Sequence, residues 1–154
     1  HLKNSHVIPA LIRKFDIAKK QNSENITCWG SGKALREFLY VEDLAKACTF
    51  LMHKWNPVEN IDSNKENSQA NCIINVGSNF EITIKELAEK IAKLFDYQGE
   101  IIWDKNMPDG TPKKKLDTSK LEELGWEAST NLDNGLKLTI ESYRKEIMNR
   151  NIRL

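Results

Sequence analysis

The sequence predicts an α/β fold in which a small sheet is surrounded by helices. Segments with apolar residues at helical spacing alternate with short segments rich in β-branched and aromatic residues. The predicted order is helix, strand, helix, strand, helix, strand, helix, helix, and alternation of this kind is typical of α/β layering. The 154 residues, 40% of them hydrophobic, are enough for one domain with its own core.

The first helix is predicted from Val7 to about Gln21, because apolar residues recur there at spacings of three and four with basic residues between them. Pro9 fits its first turn, where a missing N–H is tolerated. A short strand, Ile26–Trp29, follows and ends at the turn Gly30–Gly32. This turn leads to a second short extended piece, Arg36–Tyr40.

The second helix is predicted from Val41 to near Lys54, with acidic residues in its first turn, where the helix dipole favours them. Leu44, Cys48 and Leu51 repeat on its apolar face. Residues 56–71 are predicted to form a polar loop insertion, because a stretch of Asn, Ser, Glu, Asp and Lys cannot supply a core. We expect no function there.

A strand is predicted at Cys72–Val76, before the helix with the clearest signals in the chain. Thr83 is the N-cap of that helix, and Glu86 three residues later completes a capping box. Its apolar face comprises Ile84, Leu87, Ile91 and Leu94. Glu100–Trp103 is predicted as another strand.

An exposed loop is predicted from Met107 to Lys115, where proline, glycine and lysine dominate. A short helix, Thr118–Leu124, should stop at Gly125. The final helix is predicted from Leu132 to about Met148. Its inward-facing residues are Leu136, Ile140 and Tyr143.

Composition excludes several classes of protein. The 23 basic and 22 acidic residues nearly cancel, which argues against nucleic acid or an anionic membrane as a partner. No apolar run reaches the roughly 20 residues that cross a bilayer, and the start lacks the features of a signal peptide. Because Cys28, Cys48 and Cys72 form no Cys-x-x-Cys pair, we expect no metal site but buried thiols in a reducing, cytoplasmic compartment. Without an initiator Met, the chain is expected to begin inside a longer protein.

Three segments, taken together, carry a resemblance to a known family. They are Asn-Ser-His-Val-Ile-Pro-Ala-Leu-Ile-Arg-Lys-Phe at 4–15, Trp-Gly-Ser-Gly at 29–32 with Arg-Glu-Phe-Leu-Tyr-Val-Glu-Asp-Leu at 36–44, and Pro-Asp-Gly-Thr-Pro-Lys-Lys-Lys-Leu-Asp at 108–117. They resemble the GDP-L-fucose synthase family of extended short-chain dehydrogenase/reductases. Arg-Glu-Phe is shared by many extended reductases, whereas Ser-His-Val-Ile-Pro-Ala-Leu and Pro-Asp-Gly-Thr-Pro are far more specific.

The resemblance implies an NADPH-dependent reductase and epimerase. Such an enzyme converts GDP-4-keto-6-deoxy-mannose to GDP-L-fucose by inverting C3 and C5 and reducing the C4 ketone, and its cofactor is NADP. The full-length protein would be a cytoplasmic homodimer whose partner is a GDP-sugar substrate. Residues 1–154 would form its C-terminal, substrate-binding part.

The sequence motifs that the family's hydride chemistry needs are missing from the chain. No tyrosine begins a Tyr-x-x-x-Lys pair; the three candidates are Tyr40, Tyr97 and Tyr143. Gly30-x-Gly32 has Leu35 at the third glycine position, so it is interpreted as a plain turn rather than a dinucleotide turn. We therefore expect the Rossmann half to be absent from this chain and the fragment alone to be catalytically inert.

His6 precedes the first helix, where the family's corresponding histidine donates a proton in epimerisation and lies near the nicotinamide. An imidazole titrates close to neutrality, which suits it to proton transfer. The resemblance therefore implies a catalytic and cofactor-binding role for His6. Taken alone, a histidine at a helix start is more often a surface or capping residue.

The resemblance implicates four further residues in substrate binding. Arg36 corresponds to an arginine that holds the substrate's diphosphate, a task that suits a planar fork of N–H donors. Lys14 falls where many relatives have a phosphate-binding arginine. Trp29 would line the sugar or base pocket, and Asp109 would accept hydrogen bonds from guanine or ribose hydroxyls. Without the family, Trp29 would be core, Asp109 would stabilise its own turn, and both cations would be solvated.

The sequence leaves two alternative functions open. A related reductase or epimerase could act on another GDP-linked deoxy sugar, such as a deoxyheptose, because the missing half contacts much of the sugar. The chain could also be a noncatalytic interaction module whose site residues are relics.

Overall fold

A computed structural model of the chain describes residues 5–56 and 73–149. Its helices are α1 (Val7–Lys20), α2 (Val41–Lys54), α3 (Ile84–Leu94), α4 (Ser119–Glu123) and α5 (Leu132–Met148). Its strands are β1 (Asn25–Trp29), β2 (Leu35–Glu37), β3 (Glu81–Thr83), β4 (Glu100–Asp104) and β5 (Lys113–Lys114). The predicted α/β class is confirmed.

The helices lie close to the segments predicted for them. At the start of α3 both bonds of the capping box are present, since the Glu86 amide donates to Thr83 Oγ1 at 3.1 Å and the Thr83 amide donates to Glu86 Oε2 at 3.0 Å. α4 ends before Gly125, whose φ of +91° a helix cannot continue. Within the described residues, no helix has the length and apolar character needed to span a membrane.

The predicted strand at Cys72–Val76 is wrong where it can be judged. Cys72 lies outside the described residues, as does the predicted polar insertion apart from Asn56, and residues 73–78 are not in a strand. A strand persists only where its backbone pairs with a neighbour. Here the Asn75 side chain instead donates to the carbonyl oxygen of Asp117 at 3.0 Å.

The chain divides into two compact units. The first combines the residues up to Arg36, Ile82–Lys113 and the residues from Asp133 onwards. The second combines Glu37–Glu81 and Lys114–Leu132. The described strands β2, β3 and β5 form a sheet in the order β3-β2-β5.

The first unit is built on the parallel pair β1 and β4, whose register runs from Asn25 opposite Glu100 to Trp29 opposite Asp104. Helix α1 packs against β1 and α3. The core residues include Leu11, Ile12, Phe15, Ala18, Ile26, Cys28, Leu87, Ala88, Ile91, Leu136 and Ile140. The prediction that Cys28 is buried is confirmed, and burial raises the pKa of its thiol.

Aromatic side chains fix the helices of the first unit. The Phe15 ring meets the Tyr97 ring edge-on, with 5.5 Å between the ring centroids. From α5, the Tyr143 hydroxyl donates to Asp16 of α1 at 3.0 Å. Burial, together with this carboxylate acceptor, raises the pKa of Tyr143 to about 12.

In the second unit, the buried face of α2 differs from the predicted one. Leu44 is 43% exposed, and Cys48 is also exposed. The prediction of a buried thiol at Cys48 is therefore wrong. The inward residues are Asp43 and Ala47, because α2 is oriented by the hydrogen bonds of a carboxylate rather than by its leucines.

Hydrogen bonds from a distant segment hold Asp43 in the interior of the second unit. Asp43 Oδ1 accepts the Ser129 hydroxyl at 2.9 Å, and Oδ2 accepts the Thr130 amide at 2.7 Å. Lys46 adds an ion pair at 3.3 Å. Burial raises the pKa of Asp43, but these bonds together outweigh burial and hold the pKa below its ordinary value of 3.8.

Glu37 joins two further segments of the second unit. Its carboxylate accepts the backbone amides of Asn79 at 2.7 Å and Leu116 at 3.0 Å. A Cβ at Gly77 would lie 2.5 Å from Glu37 Oε1. A side chain at Gly77 would therefore displace the carboxylate that holds both loops.

Asp43→Asn should destabilise the chain, because a neutral amide weakens two charge-assisted hydrogen bonds inside the second unit. We expect the free energy of unfolding to fall by about 1–3 kcal/mol at neutral pH, measured by urea denaturation. Since the folded-state pKa is depressed, ionised Asp43 stabilises the fold above the ordinary pKa, and this contribution is lost as pH falls through the folded pKa. The difference between parent and variant should shrink accordingly in acid.

Asp96→Asn is the matched control for this measurement. The Asp96 side chain is 80% exposed and pairs with Lys19 at the surface, where ion pairs contribute little. Its replacement should change the free energy of unfolding far less. Equal losses from the two substitutions would contradict the structural role of Asp43.

Candidate functional site

The candidate site lies at the carboxyl ends of β1 and β4. Because the strands are parallel and in register, their last residues, Trp29 and Asp104, meet at the same edge. The Gly30 amide extends the pairing by donating to the Asp104 carbonyl oxygen at 2.9 Å. In open α/β sheets, ligands bind beyond the carboxyl ends of the strands.

Trp29 presents its side chain to solvent at this edge. It is 61% exposed, whereas its strand neighbours Ile26 and Cys28 are buried. This exposure excludes the interpretation of Trp29 as a core residue. An open indole offers a large apolar face and one N–H donor to a ligand.

The glycines after Trp29 form a turn, as the sequence predicts. Gly30 and Gly32 have φ values of +76° and +74°, a region that glycine enters without strain. A Cβ at Gly32 would lie 2.9 Å from the Trp103 ring, so the turn also needs glycine for close packing. β2 follows the turn, and no helix opens there.

Ser31, between the two glycines, binds the Asp109 carboxylate with two groups. Its amide donates to Oδ1 at 2.5 Å, and its hydroxyl donates to Oδ2 at 2.7 Å. These two bonds hold the pKa of Asp109 below its ordinary value. Asp109 therefore stabilises the turn at Ser31 rather than its own, although a carboxylate keeps further lone pairs for a ligand.

Arg36 is held by the same loop. Its Nη1 donates to the carbonyl oxygens of Leu35 and Thr111, both at 2.7 Å, and the Leu35 amide donates to the Pro112 carbonyl oxygen at 2.8 Å. Among the described residues, Nε and Nη2 have no hydrogen-bond acceptor. We refer to the bonded segments Gly30–Arg36 and Asp109–Pro112 as the clasp.

Lys14 and His6 both belong to the α1 region. Lys14 Nζ donates to the Thr27 carbonyl oxygen of β1 at 2.6 Å. His6 is the N-cap residue of α1, but its exposed side chain makes no capping bond. The short segment 21–24 joins α1 to β1, and the helix packs against the strand, so α1 and β1 run in opposite directions. The N-terminus of α1 therefore lies toward the end of β1 that carries Trp29.

The structure thus brings some of the predicted site residues together. Trp29, Arg36 and Asp109 all belong to the clasp or directly adjoin it. Within the described residues, neither His6 nor Lys14 is hydrogen-bonded or ion-paired to any of these three. In the same part of the chain, no three His, Cys, Asp or Glu side chains form a metal-ligand cluster.

The sequence does not mark Ser31 as a site residue, and Glu37 is apparent in it only as part of a widespread motif. Both residues organise loops through hydrogen bonds to partners at least 42 residues away. The available signals were a serine between two glycines and an acid in the Arg-Glu-Phe motif. Neither signal specifies its partner.

Comparison with known proteins identifies related sequences. The sequence model of the NAD dependent epimerase/dehydratase family matches residues 1–77. GDP-L-fucose synthase 1 of Arabidopsis thaliana is 43% identical over 150 residues, which are 97% of this chain and 42% of the relative. GDP-L-fucose synthase of Escherichia coli (strain K12) is 44% identical over 142 residues, which are 92% and 43%. The chain spans about two fifths of the length of these curated relatives and matches their C-terminal part.

Solved structures share the fold. A GDP-6-OMe-4-keto-L-xylo-heptose reductase from C. jejuni has a TM-score of 0.83 and 28% identity, covering 92% of this chain and 48% of that one. A GDP-L-fucose synthetase from Naegleria fowleri bound to NADP has a TM-score of 0.77 and 26% identity, covering 96% and 43%. The resemblance carried by the sequence motifs is confirmed.

Gly30→Ala should loosen the clasp, because a Cβ at φ +76° is strained and would overlap the Asp109 carboxylate. Gly125→Ala is the matched control, since Gly125 has φ +91° but nothing within 4 Å of its Cβ position. We expect Gly30→Ala to cost roughly 1–3 kcal/mol more in free energy of unfolding than the control. It should also speed hydrogen exchange of the Ser31 amide, measured by NMR; an unchanged exchange rate would contradict the role of Asp109 in the turn.

Proposed function

The chain belongs to the NAD dependent epimerase/dehydratase family, and we propose on that premise that it forms the nucleotide-sugar-binding part of an NADPH-dependent reductase/epimerase that makes GDP-L-fucose. The substrate would be GDP-4-keto-6-deoxy-mannose. The clasp supports this proposal most, because it holds an arginine with open donors at the carboxyl edge of β1 and β4. The names of the two curated relatives support a GDP-sugar as the ligand.

Arg36 would bind the diphosphate of the substrate. Its two bonds to backbone carbonyls use Nη1 and leave Nε and Nη2 for a ligand. These two nitrogens form one edge of the guanidinium, whose parallel N–H groups match two oxygens of a phosphate. Lys14 would add a second positive charge from α1, with two ammonium protons beyond the one it gives to Thr27.

The base or sugar would lie against Trp29. Its exposed ring offers the apolar surface that a nucleotide-sugar pocket needs. Asp109 would border the nucleotide and accept hydrogen bonds from guanine or ribose hydroxyls with the lone pairs that Ser31 leaves free.

His6 would act as proton donor in epimerisation, and its exposed imidazole without a capping bond is compatible with that role. The Gly30–Gly32 turn does not fit the pyrophosphate of a dinucleotide, because a strand and not a helix follows it. We therefore assign the NADP site mainly to a dinucleotide-binding half of the full-length protein. Among the described residues, only His6 is proposed on the cofactor side.

A GDP-linked deoxyheptose is the second candidate substrate. It is favoured by the similarity in structure to a protein named as a GDP-heptose reductase. We further propose a cytoplasmic, homodimeric full-length protein without a nucleic-acid partner. Three cysteines without a Cys-x-x-Cys pair, an odd number that leaves one thiol unpaired, support the reducing compartment.

Arg36→Ala should weaken GDP binding to the 154-residue chain by about tenfold or more, since a hydrogen bond to a charged group is worth roughly 1.5–3 kcal/mol. Isothermal titration calorimetry measures the effect. Lys33→Ala is the matched control, because it removes the same charge from the same turn without removing a fork of donors, and it should cost less. Arg36→Lys should rescue the affinity only partly.

If parent and Arg36→Ala bind GDP equally, the diphosphate role is wrong. Titration with UDP and ADP tests the choice of base in the same assay. A parent chain that binds none of the three nucleotides would favour a noncatalytic module.

The catalytic proposal can be tested in a chimera in which this chain replaces the C-terminal part of the E. coli relative. Supplied with GDP-4-keto-6-deoxy-mannose and NADPH in D₂O, the chimera should place deuterium at C3 and C5, followed by NMR. His6→Asn keeps much of the shape but cannot cycle a proton, so deuterium incorporation should fall about 10²-fold or more. Direct reduction of the ketone, followed as NADPH consumption, should fall less.

His53→Asn, in the exposed last turn of α2, is the control histidine and should leave both signals unchanged. Lost NADPH oxidation with unchanged deuterium incorporation in His6→Asn would make His6 a cofactor-side residue only.

A further inference from the structure

We propose that Ser31 is a positioning residue for ligand binding, because it holds the loop that fixes the guanidinium of Arg36. This role rests on the proposed binding of a diphosphate by Arg36. Ser31 itself would not touch the ligand. Its effect would pass through Asp109 and Thr111 to Arg36.

Ser31 fixes the Asp109 side chain through two hydrogen bonds. Amide and hydroxyl bind the two oxygens of one carboxylate, so the Asp109 side chain is fixed in both position and rotation. The Lys33 amide donates to Ser31 Oγ at 3.3 Å. Since that oxygen accepts from Lys33, its own proton is directed to Asp109.

The loop that carries Asp109 is held in place by hydrogen bonds. Residues 108–112 are all exposed, so burial in a core does not hold them. Hydrogen bonds instead join three of them to the Gly30–Arg36 segment: Asp109 to Ser31, Thr111 to Arg36 and Pro112 to Leu35. Among these bonds, those of Ser31 lie nearest Gly30 in the sequence. Without the Ser31 hydroxyl, one of the two contacts to the Asp109 carboxylate is lost.

The same loop orients the Arg36 side chain. Both protons of Nη1 are bonded, one to Leu35 and one to Thr111. The planar guanidinium therefore points its remaining edge, Nε and Nη2, in one direction. Loss of the Thr111 carbonyl would free this side chain to rotate, and the ligand would then bear the entropic cost of ordering it.

Calorimetry of GDP binding to the 154-residue chain provides the first test. Ser31→Ala should weaken binding by about threefold to tenfold, the usual effect of leaving one long side chain unordered. Ser31→Thr keeps the amide and the hydroxyl and should restore most of the affinity. Ser142→Ala, on the exposed surface of α5, is the matched control and should have no effect.

Epistasis with Arg36 separates positioning from a general structural role. In an Arg36→Ala background, Ser31→Ala should cause a clearly smaller loss of GDP affinity than in the parent, because the residue it orients is gone and only the contact through Asp109 remains to be lost. A loss of the same size in both backgrounds would overturn the proposal. So would parental affinity in Ser31→Ala.

NMR of the unliganded chain tests the positioning role of Ser31 in the absence of GDP. Ser31→Ala should raise the pKa of Asp109 toward its ordinary value and increase the mobility of the Arg36 Nε–H group, while Ser31→Thr should do neither. If the parent does not bind GDP, the function proposed for Arg36 fails, but a loosened Arg36 still supports positioning by Ser31. An Arg36 side chain equally ordered in parent and Ser31→Ala overturns it.

Discussion

The bidentate contact between Ser31 and Asp109 is the interaction on which the candidate site depends. It joins segments 78 residues apart in the sequence and holds an exposed loop against the turn after β1. The same loop supplies the Thr111 carbonyl that orients Arg36. Gly30 permits the contact, because any larger residue would occupy the place of the carboxylate.

Carboxylates that accept backbone amides recur as organising groups in both units. Asp109 accepts the Ser31 amide, Glu37 accepts the amides of Asn79 and Leu116, and Asp43 accepts the Thr130 amide. The sheets in the described part of the chain have two and three strands, and these four amides are bonded to carboxylates rather than to a neighbouring strand. An ionised acceptor forms short, strong bonds with such amides, and one carboxylate can hold two segments at once.

This arrangement separates the groups that build the site from those left to bind a ligand. Ser31 uses both its amide and its hydroxyl on Asp109, whereas Trp29, the Nε–Nη2 edge of Arg36 and the further lone pairs of Asp109 remain open. The open groups match an aromatic base and a diphosphate, the chemistry expected for a GDP-sugar. The contact between Ser31 and Asp109 explains how a solvent-exposed loop can hold Arg36 of β2 in a fixed orientation.

The sequence by itself determined the helices and the family. Apolar spacing and the Thr83–Glu86 capping box are local signals, so the helices lie where they were predicted, and contiguous motifs identified the relatives. Tertiary structure decided three things: the absence of the predicted strand over residues 73–76, the inward turn of Asp43 in place of Leu44 and Cys48, and the pairing of Ser31 with Asp109. Each depends on a partner distant in the chain, and local propensity contains no information about which distant group will satisfy a given amide or carboxylate.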